Sequence, residues 1–294
     1  MTDRAQPTRR GPRAFADRLA LAQSLHVSPI CLGWVGHPSV IPAAYDAGIN
    51  FFFLTSDMHW PLYEATRRGL ADLLRRSPAI RDRVVVGVTS YVQEPDFCHM
   101  PFREVIAAVP GLGRIDVTIL GSAHSREFLL RLPEYHAHRL DGEHPTSVRG
   151  VRATGATFHD RGAGLLAVNH GLVDVAFARY NPDHPGAEQD LFPHLQKRPG
   201  TLLYNFNSTR GHVKDERLLE LGLTRRHWRP KVADHYRFVL RRPEIDGVLC
   251  GLASTEELET LHAALAAGGL DEDEAGYMRD LADVAAGRRE LARG

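Results

Sequence analysis

Lysine is almost missing from this chain. Of 36 basic residues among 294, only Lys197, Lys214 and Lys231 are lysines, so the first 196 positions contain none. Chemistry that needs an ammonium group in that stretch, as a Schiff base or as a charge that acidifies a phenol, is excluded by composition. Cysteine is scarce as well: Cys31, Cys98 and Cys250 are odd in number and far apart. That spacing excludes a disulfide framework and a structural zinc finger, and the thiols are expected to be reduced and mostly buried. Net charge is absent, because 36 acidic residues balance 36 basic ones. Without a basic field, neither nucleic acid nor an anionic membrane surface is expected as a partner. No apolar run reaches the roughly 18 to 20 residues of a membrane span. A nucleophile elbow, a P-loop, a His-Glu-x-x-His pair and a G-x-G-x-x-G after a strand are all lacking, so no common nucleophile, triphosphate, zinc or Rossmann signature applies. Residues 1–13 hold four arginines but no apolar stretch follows them. They read as a flexible tail and not as a secretory signal, so a cytoplasmic location is expected.

What remains is an ordinary globular composition, with 43% hydrophobic and 24% charged residues. Short apolar runs at 28–35, 50–54, 84–89, 116–120, 151–155, 173–177, 201–206 and 247–250 alternate with longer segments of helical period. These helical segments cover 40–47, 61–76, 102–108, 126–138, 162–169, 187–196, 218–241 and 255–267. Uninterrupted runs such as Val84-Val85-Val86 suit strands buried on both faces. Eight β-then-α units close most simply into a (β/α)8 TIM barrel, with a doubly wound sheet as the alternative. One domain over 14–294 is expected, ending in a helical extension over 270–288 whose first turn carries Asp271 to Glu274.

In such a barrel, chemistry sits at the C-terminal strand ends. The candidates delivered there include Asp57, His59 and Tyr63 after the second strand, Tyr91 after the third and His124 after the fourth. Imidazole is the commonest acid or base at neutral pH and a frequent metal ligand. The His spacings nevertheless match no ligand pattern, so no metal site is expected. Asp57 could equally cap the helix that starts near Pro61. Aromatic walls are expected from Trp34, Phe52, Trp60, Tyr91 and Phe158.

The runs Val27-Ser28-Pro29-Ile30-Cys31-Leu32-Gly33, Asp46-to-Phe52, Val151-to-Thr157 and Tyr236-Arg237-Phe238 with Ile245-to-Gly251 together resemble the aldo-keto reductases. So, most specifically, does DVAFARYNPDHPGAEQDLFP at 174–193. The likeness covers about residues 19–283, and the last motif is similar to a subgroup with Arg-Tyr-Asn…His-x-Gly-Ala-Glu. It implies an aldo-keto reductase-like barrel that uses NADP or NAD to interconvert carbonyls and alcohols. It also implies a catalytic Asp, Tyr, Lys and His, but those positions fall on Phe53 or Leu54, His59, Thr89 and Gly121. A phenol without the ammonium stays near its reference pKa of about 10, whereas an imidazole at about 6.5 needs no lysine. His59 is therefore the expected replacement acid, oriented by Asp57 or Tyr63. Cofactor contacts implied by the resemblance are Thr157, Asn181, Asn207, Ser208 and Ser254, with Tyr204 stacking and Arg210 substituting for the missing phosphate-pairing base.

Three functional readings follow. The chain is an atypical NAD(P)-dependent oxidoreductase acting on a small organic molecule. Alternatively it is a non-redox lyase, isomerase, cyclase or hydrolase using the His/Asp cluster, or a binding pseudoenzyme that keeps only the scaffold. The sequence fixes neither the substrate nor the oligomeric state.

Overall fold

The computed structural model describes residues 14–289 apart from 23, 93, 95–96, 98–99, 124–128, 130–131, 133–149 and 225. Eight parallel strands close a barrel in the order β10-β3-β4-β5-β6-β7-β8-β9. They are β3 (Ile30–Val35), β4 (Phe51–Thr55), β5 (Val85–Ser90), β6 (Val117–Ala123), β7 (Ala153–Phe158), β8 (Val175–Arg179), β9 (Leu202–Phe206) and β10 (Gly247–Leu252). The expected (β/α)8 TIM barrel is the observed architecture. Period-two alternation divides each strand between two cores. Cys31, Phe51, Phe53, Val85, Ile119, Val175, Phe177 and Tyr204 fill the interior. Leu32, Phe52, Leu54, Val86, Val88 and Ala176 face the helices.

The described helices are α1 (Val40–Asp46), α2 (Glu64–Arg76), α3 (Met100–Ala108), α4 (Arg161–Asn169), α5 (Ala187–Asp190), α6 (Asp215–Glu220), α7 (Val232–Leu240), α8 (Thr255–Ala266) and α9 (Glu272–Ala285). The long segment expected over 218–241 is divided, because Gly222 takes φ +79° and Pro230 stands before α7. The segment over 126–138 lies outside the described residues. A hairpin that the pattern did not reveal, β1 (Leu19–Leu21) with antiparallel β2 (Leu25–Val27), closes the N-terminal end. Leu21, Leu25 and Val27 join the interior cluster there.

That end is also braced by a repeated device. The residue before every second strand accepts the amide of the strand beside it: Asn50 from Ser28 (2.7 Å), Asp116 from Val86 (2.8 Å), Asp174 from Thr154 (2.8 Å) and Asp246 from Leu203 (2.8 Å). Buried Asp116 is neutralised by Arg81 at 2.9 Å and Arg152 at 2.8 Å, and Asp246 by Lys197 at 2.5 Å. Stability is thus concentrated at the N-terminal face, which leaves the opposite face free for chemistry.

Candidate functional site

A cavity of about 400 Å³ opens at the C-terminal mouth. Its floor is polar where the interior below is apolar. Thr55 and Thr89 are register partners on β4 and β5 and both point inward by alternation. Both are buried, at 1% and 0% exposure, and neither hydroxyl has a hydrogen-bond partner. Thr55 lines the cavity. A buried hydroxyl without a partner costs about 1–3 kcal/mol, and Thr55, which lines the cavity, can recover this by meeting an oxygen or nitrogen from outside the chain.

Above the floor stand His59, Tyr63 and Tyr91. His59 precedes a 3-10 turn (Trp60–Tyr63) that opens with Pro61. Arg67 holds the turn, donating to the Trp60 carbonyl at 2.6 Å and lying 3.7 Å over its indole. His59 and Tyr91 meet edge to face, with ring centroids 5.5 Å apart. Tyr91 takes its place because residue 121 is glycine: a Cβ there would lie 2.5 Å from the phenol ring. Burial first, then the charge of Asp57, raises the Tyr91 pKa above its ordinary value. Burial likewise raises that of Tyr63, with smaller contributions from Tyr91 and Cys31. Both phenols stay protonated at neutral pH and can act only as hydrogen-bond donors or acceptors there.

Asp57 is not in this cavity. Its Oδ2 accepts from the Ser90 hydroxyl (2.8 Å) and the Tyr91 amide (2.8 Å), and its Oδ1 from the Met58 amide (2.6 Å). The carboxylate therefore ties the loop after β4 to the loop after β5 and positions Tyr91. The capping reading is close to this, except that the capped groups belong mostly to a neighbouring strand. His124 lies outside the described residues.

The residues expected at a cofactor divide. Thr157, Asn207 and Ser208 line the cavity. The Thr157 hydroxyl accepts the amide of Ser122, which is held at φ +57°. Asn207 is at φ +56°, and buried Asn181 donates to its carbonyl at 2.9 Å. Asn181 is thus spent on bracing the loop and does not reach the cavity. Tyr204 is a correction: it is wholly buried in the lower interior, and its hydroxyl donates to the Ser28 carbonyl at 2.6 Å. Phe206, on the same inward face one layer higher, lines the mouth instead. Period two puts both rings on one face, and only the later residue reaches the mouth. Phe52 and Phe158 belong to the helix-facing core, so they are not walls, whereas Phe53 and Trp34 are. Trp60 packs against the core from outside the cavity. His159 and Tyr236 also line the cavity.

Ser254 caps α8, accepting the Glu257 amide at 3.4 Å, while the Glu257 carboxylate accepts the Ala253 amide at 2.7 Å. Glu256 adds a second acid, its pKa held low chiefly by the Ser254 hydroxyl. Arg210 lies exposed in the loop after β9, next to Thr209, which lines the cavity. No lysine approaches the cavity: Lys197 is at the opposite end, and Lys214 and Lys231 line an outer groove with His212 and Arg229. Among the described residues no group of three or more His, Cys, Asp or Glu is placed to hold a metal ion. No described helix is long and apolar enough to cross a membrane.

Behind Ser208, His212 Nδ1 and His235 Nε2 are 3.3 Å apart. Burial, reinforced by His212, pushes the His235 pKa down to about 3. The unfolded chain takes up this proton as pH falls through about 6.5, and the folded chain does not until about 3. The contribution is therefore complete above pH 6.5 and is lost as pH falls. Between pH 7 and 5 it amounts to about 2 kcal/mol. Urea unfolding at the two pH values checks this, with His235→Gln expected to flatten the acid limb by that amount.

No protein-family model matches the sequence, and no curated protein matches it. Among solved structures, the chain is similar to the aldo-keto reductase AKR11C1 from Bacillus halodurans. The holo form aligns with a TM-score of 0.65 and 15% identity over 90% of this chain and 96% of that one. The apo form aligns with a TM-score of 0.64 and 13% identity over 90% and 96%. At that identity the likeness establishes the shared barrel.

Proposed function

We propose that the chain is an oxidoreductase of aldo-keto reductase-like build, acting on a small organic molecule in the mouth cavity with a rebuilt proton donor. The observation that carries this reading is the pairing of His59 and Tyr91 above the unpartnered Thr55 and Thr89 hydroxyls. An Asp, a Tyr, a Lys and a His are all replaced at the corresponding positions. Hydroxyls take over binding of the substrate oxygen, and an imidazole takes over its protonation. His59 needs no ammonium neighbour to serve as the acid, and the neutral Tyr91 edge orients it. Trp34, Phe206 and Leu249 exclude water from the reacting oxygen.

A nicotinamide fits the remaining wall: Phe206 offers an aromatic face, and Thr157, Asn207 and Ser208 offer polar groups for the ring and its ribose. When bound, this cofactor supplies the hydride. The 2′-phosphate of NADP does not fit the start of α8, where Glu257 already occupies an amide and two carboxylates repel a third anion. NADH is therefore expected to bind at least tenfold tighter than NADPH, as measured by fluorescence quenching or thermal shift. If neither nucleotide binds, the redox reading fails.

The same closed helix start favours a second reading, a non-redox proton-transfer enzyme using His59 and Tyr91. Turnover that persists after all nucleotide has been removed would select it.

A further inference from the structure

Most of the described arginines pair with a carboxylate, as Arg81, Arg114, Arg152, Arg161, Arg237, Arg241, Arg279 and Arg288 do. Arg179 and Arg210 are among those that do not, and they lie on neighbouring elements at the mouth end of the barrel. Arg179 ends β8, the sixth barrel strand, and shares its inward face with Val175 and Phe177. Its register partner is Phe206, which lines the mouth cavity. Its Nε is buried without a hydrogen-bond partner. Among the described residues its guanidinium meets no carboxylate. Arg210 lies in the loop after β9, where its amide closes a turn onto Asn207 at 3.2 Å, and its exposed guanidinium is likewise without an acidic partner among the described residues.

The two cations converge on His184. That imidazole is held below its ordinary pKa by burial first, then by Arg179, and further by Arg210 and Arg288. The one carboxylate nearby, Asp183, is already engaged by Arg288 at 2.6 Å and faces His184 at 3.3 Å. Folding thus sets Arg179 beside Phe206 and Arg210 next to Thr209, both of which line the mouth, and neither guanidinium has a carboxylate partner among the described residues. Such an arrangement loses free energy by desolvation unless an anion completes it.

We propose that Arg179 and Arg210 form an oxyanion site at the rim between β8 and β9, which receives a carboxylate or phosphate of the molecule held in the mouth. The inference rests on the mouth being the working site. It does not depend on the reaction being redox. A planar guanidinium grips either oxyanion with two parallel hydrogen bonds, and Arg179, the more buried of the two, contributes the larger part. The anion has two sources, the diphosphate of a dinucleotide or an acidic group on the substrate.

Isothermal titration of the full chain with sodium pyrophosphate, with benzoate and with NADH tests the proposal. Wild type is compared with Arg179→Gln, Arg179→Lys, Arg210→Gln and the control Arg103→Gln on the exposed face of α3. Binding of at least one anion is expected. It should weaken about tenfold or more in Arg179→Gln and Arg210→Gln, less in Arg179→Lys, and not at all in Arg103→Gln. If NADH and pyrophosphate weaken together, the dinucleotide is the source. If benzoate and pyrophosphate bind, NADH does not, and the arginine variants lose both, the substrate is the source; the redox reading then falls while this site stands. Anion binding that is absent from wild type, or unchanged in folded Arg179→Gln and Arg179→Lys, overturns the proposal. Melting curves for each variant separate a lost site from a lost fold.

Discussion

Glu188→Ala lowers the stability of the chain by about 3 kcal/mol, the low end of what breaking a buried ion pair costs. The side chain of Glu188 is 28% exposed, which is why the low end applies. Its Oε1 is the meeting point of three elements. The Tyr180 hydroxyl donates to it from the end of β8, Arg279 reaches it at 2.9 Å from α9, and Arg241 approaches at 3.5 Å from the end of α7. Arg241 also holds Glu272 at 2.5 Å, so Glu188 and Glu272 together fasten the C-terminal helix to the barrel. Tyr180 is 1% exposed and lies between Phe192 and Phe238, with centroids 5.1 Å and 5.3 Å away. Removing the carboxylate strands a buried phenol and leaves Arg241, whose side chain is only 6% exposed, with Glu272 alone. Thermal melts should drop by roughly 6 °C or more. Tyr180→Phe, which removes one donor and leaves the ion pairs, should cost about 1 kcal/mol. Equal losses from both variants would show that the carboxylate is not the centre of the network.

This network explains a run of residues that sequence reasoning treated as a mark of kinship. In Arg179-Tyr180-Asn181, with Glu188 following, Tyr180 and Glu188 fasten α9, and Asn181 braces Asn207 and accepts the His184 amide at 2.9 Å. Only Arg179 is left over for a ligand. The strands were legible because each is apolar on both faces, and their alternation also carried the information that separates Phe53 from Phe52, whereas Tyr204 and Phe206 share a face and differ only in layer. The hairpin over Leu19–Val27 was not legible, because two three-residue strands are too short to show a period. Nor could sequence distinguish Asp57 as a brace from Asp57 as a reacting group. That depends on where the Tyr91 amide falls, which is set by the register of β4 against β5. The Thr55–Thr89 pair was hidden for the same reason: each is an unremarkable strand threonine until register places them side by side.

His59→Asn should lower kcat by about 10²- to 10⁴-fold under saturating carbonyl substrate and NADH, the range for removing a positioned general acid. On the proposed reading, in which Thr55 and Thr89 hold the oxygen, KM should change little. Tyr91→Phe keeps the ring that packs on Gly121 and removes only the hydroxyl, so a smaller loss in kcat is expected. Gly121→Ala is the sharper probe of the ring itself. The added methyl carbon would fall 2.5 Å from Tyr91, and the phenol must leave its seat. If His59 relies on that edge-to-face contact, Gly121→Ala should approach the kcat of His59→Asn while the interior core remains folded. The double variant His59→Asn with Gly121→Ala should then be little worse than His59→Asn alone, because a ring that orients an absent imidazole has nothing left to orient. Independent, multiplying losses would mean that Tyr91 acts on the substrate directly. Asp57→Asn separates positioning from chemistry: an amide keeps the shape but cannot accept from Ser90, Tyr91 and Met58 with full charge. Its defect should appear as a shift in the pH profile of kcat together with a modest loss in rate, whereas a reacting carboxylate would lose the full factor.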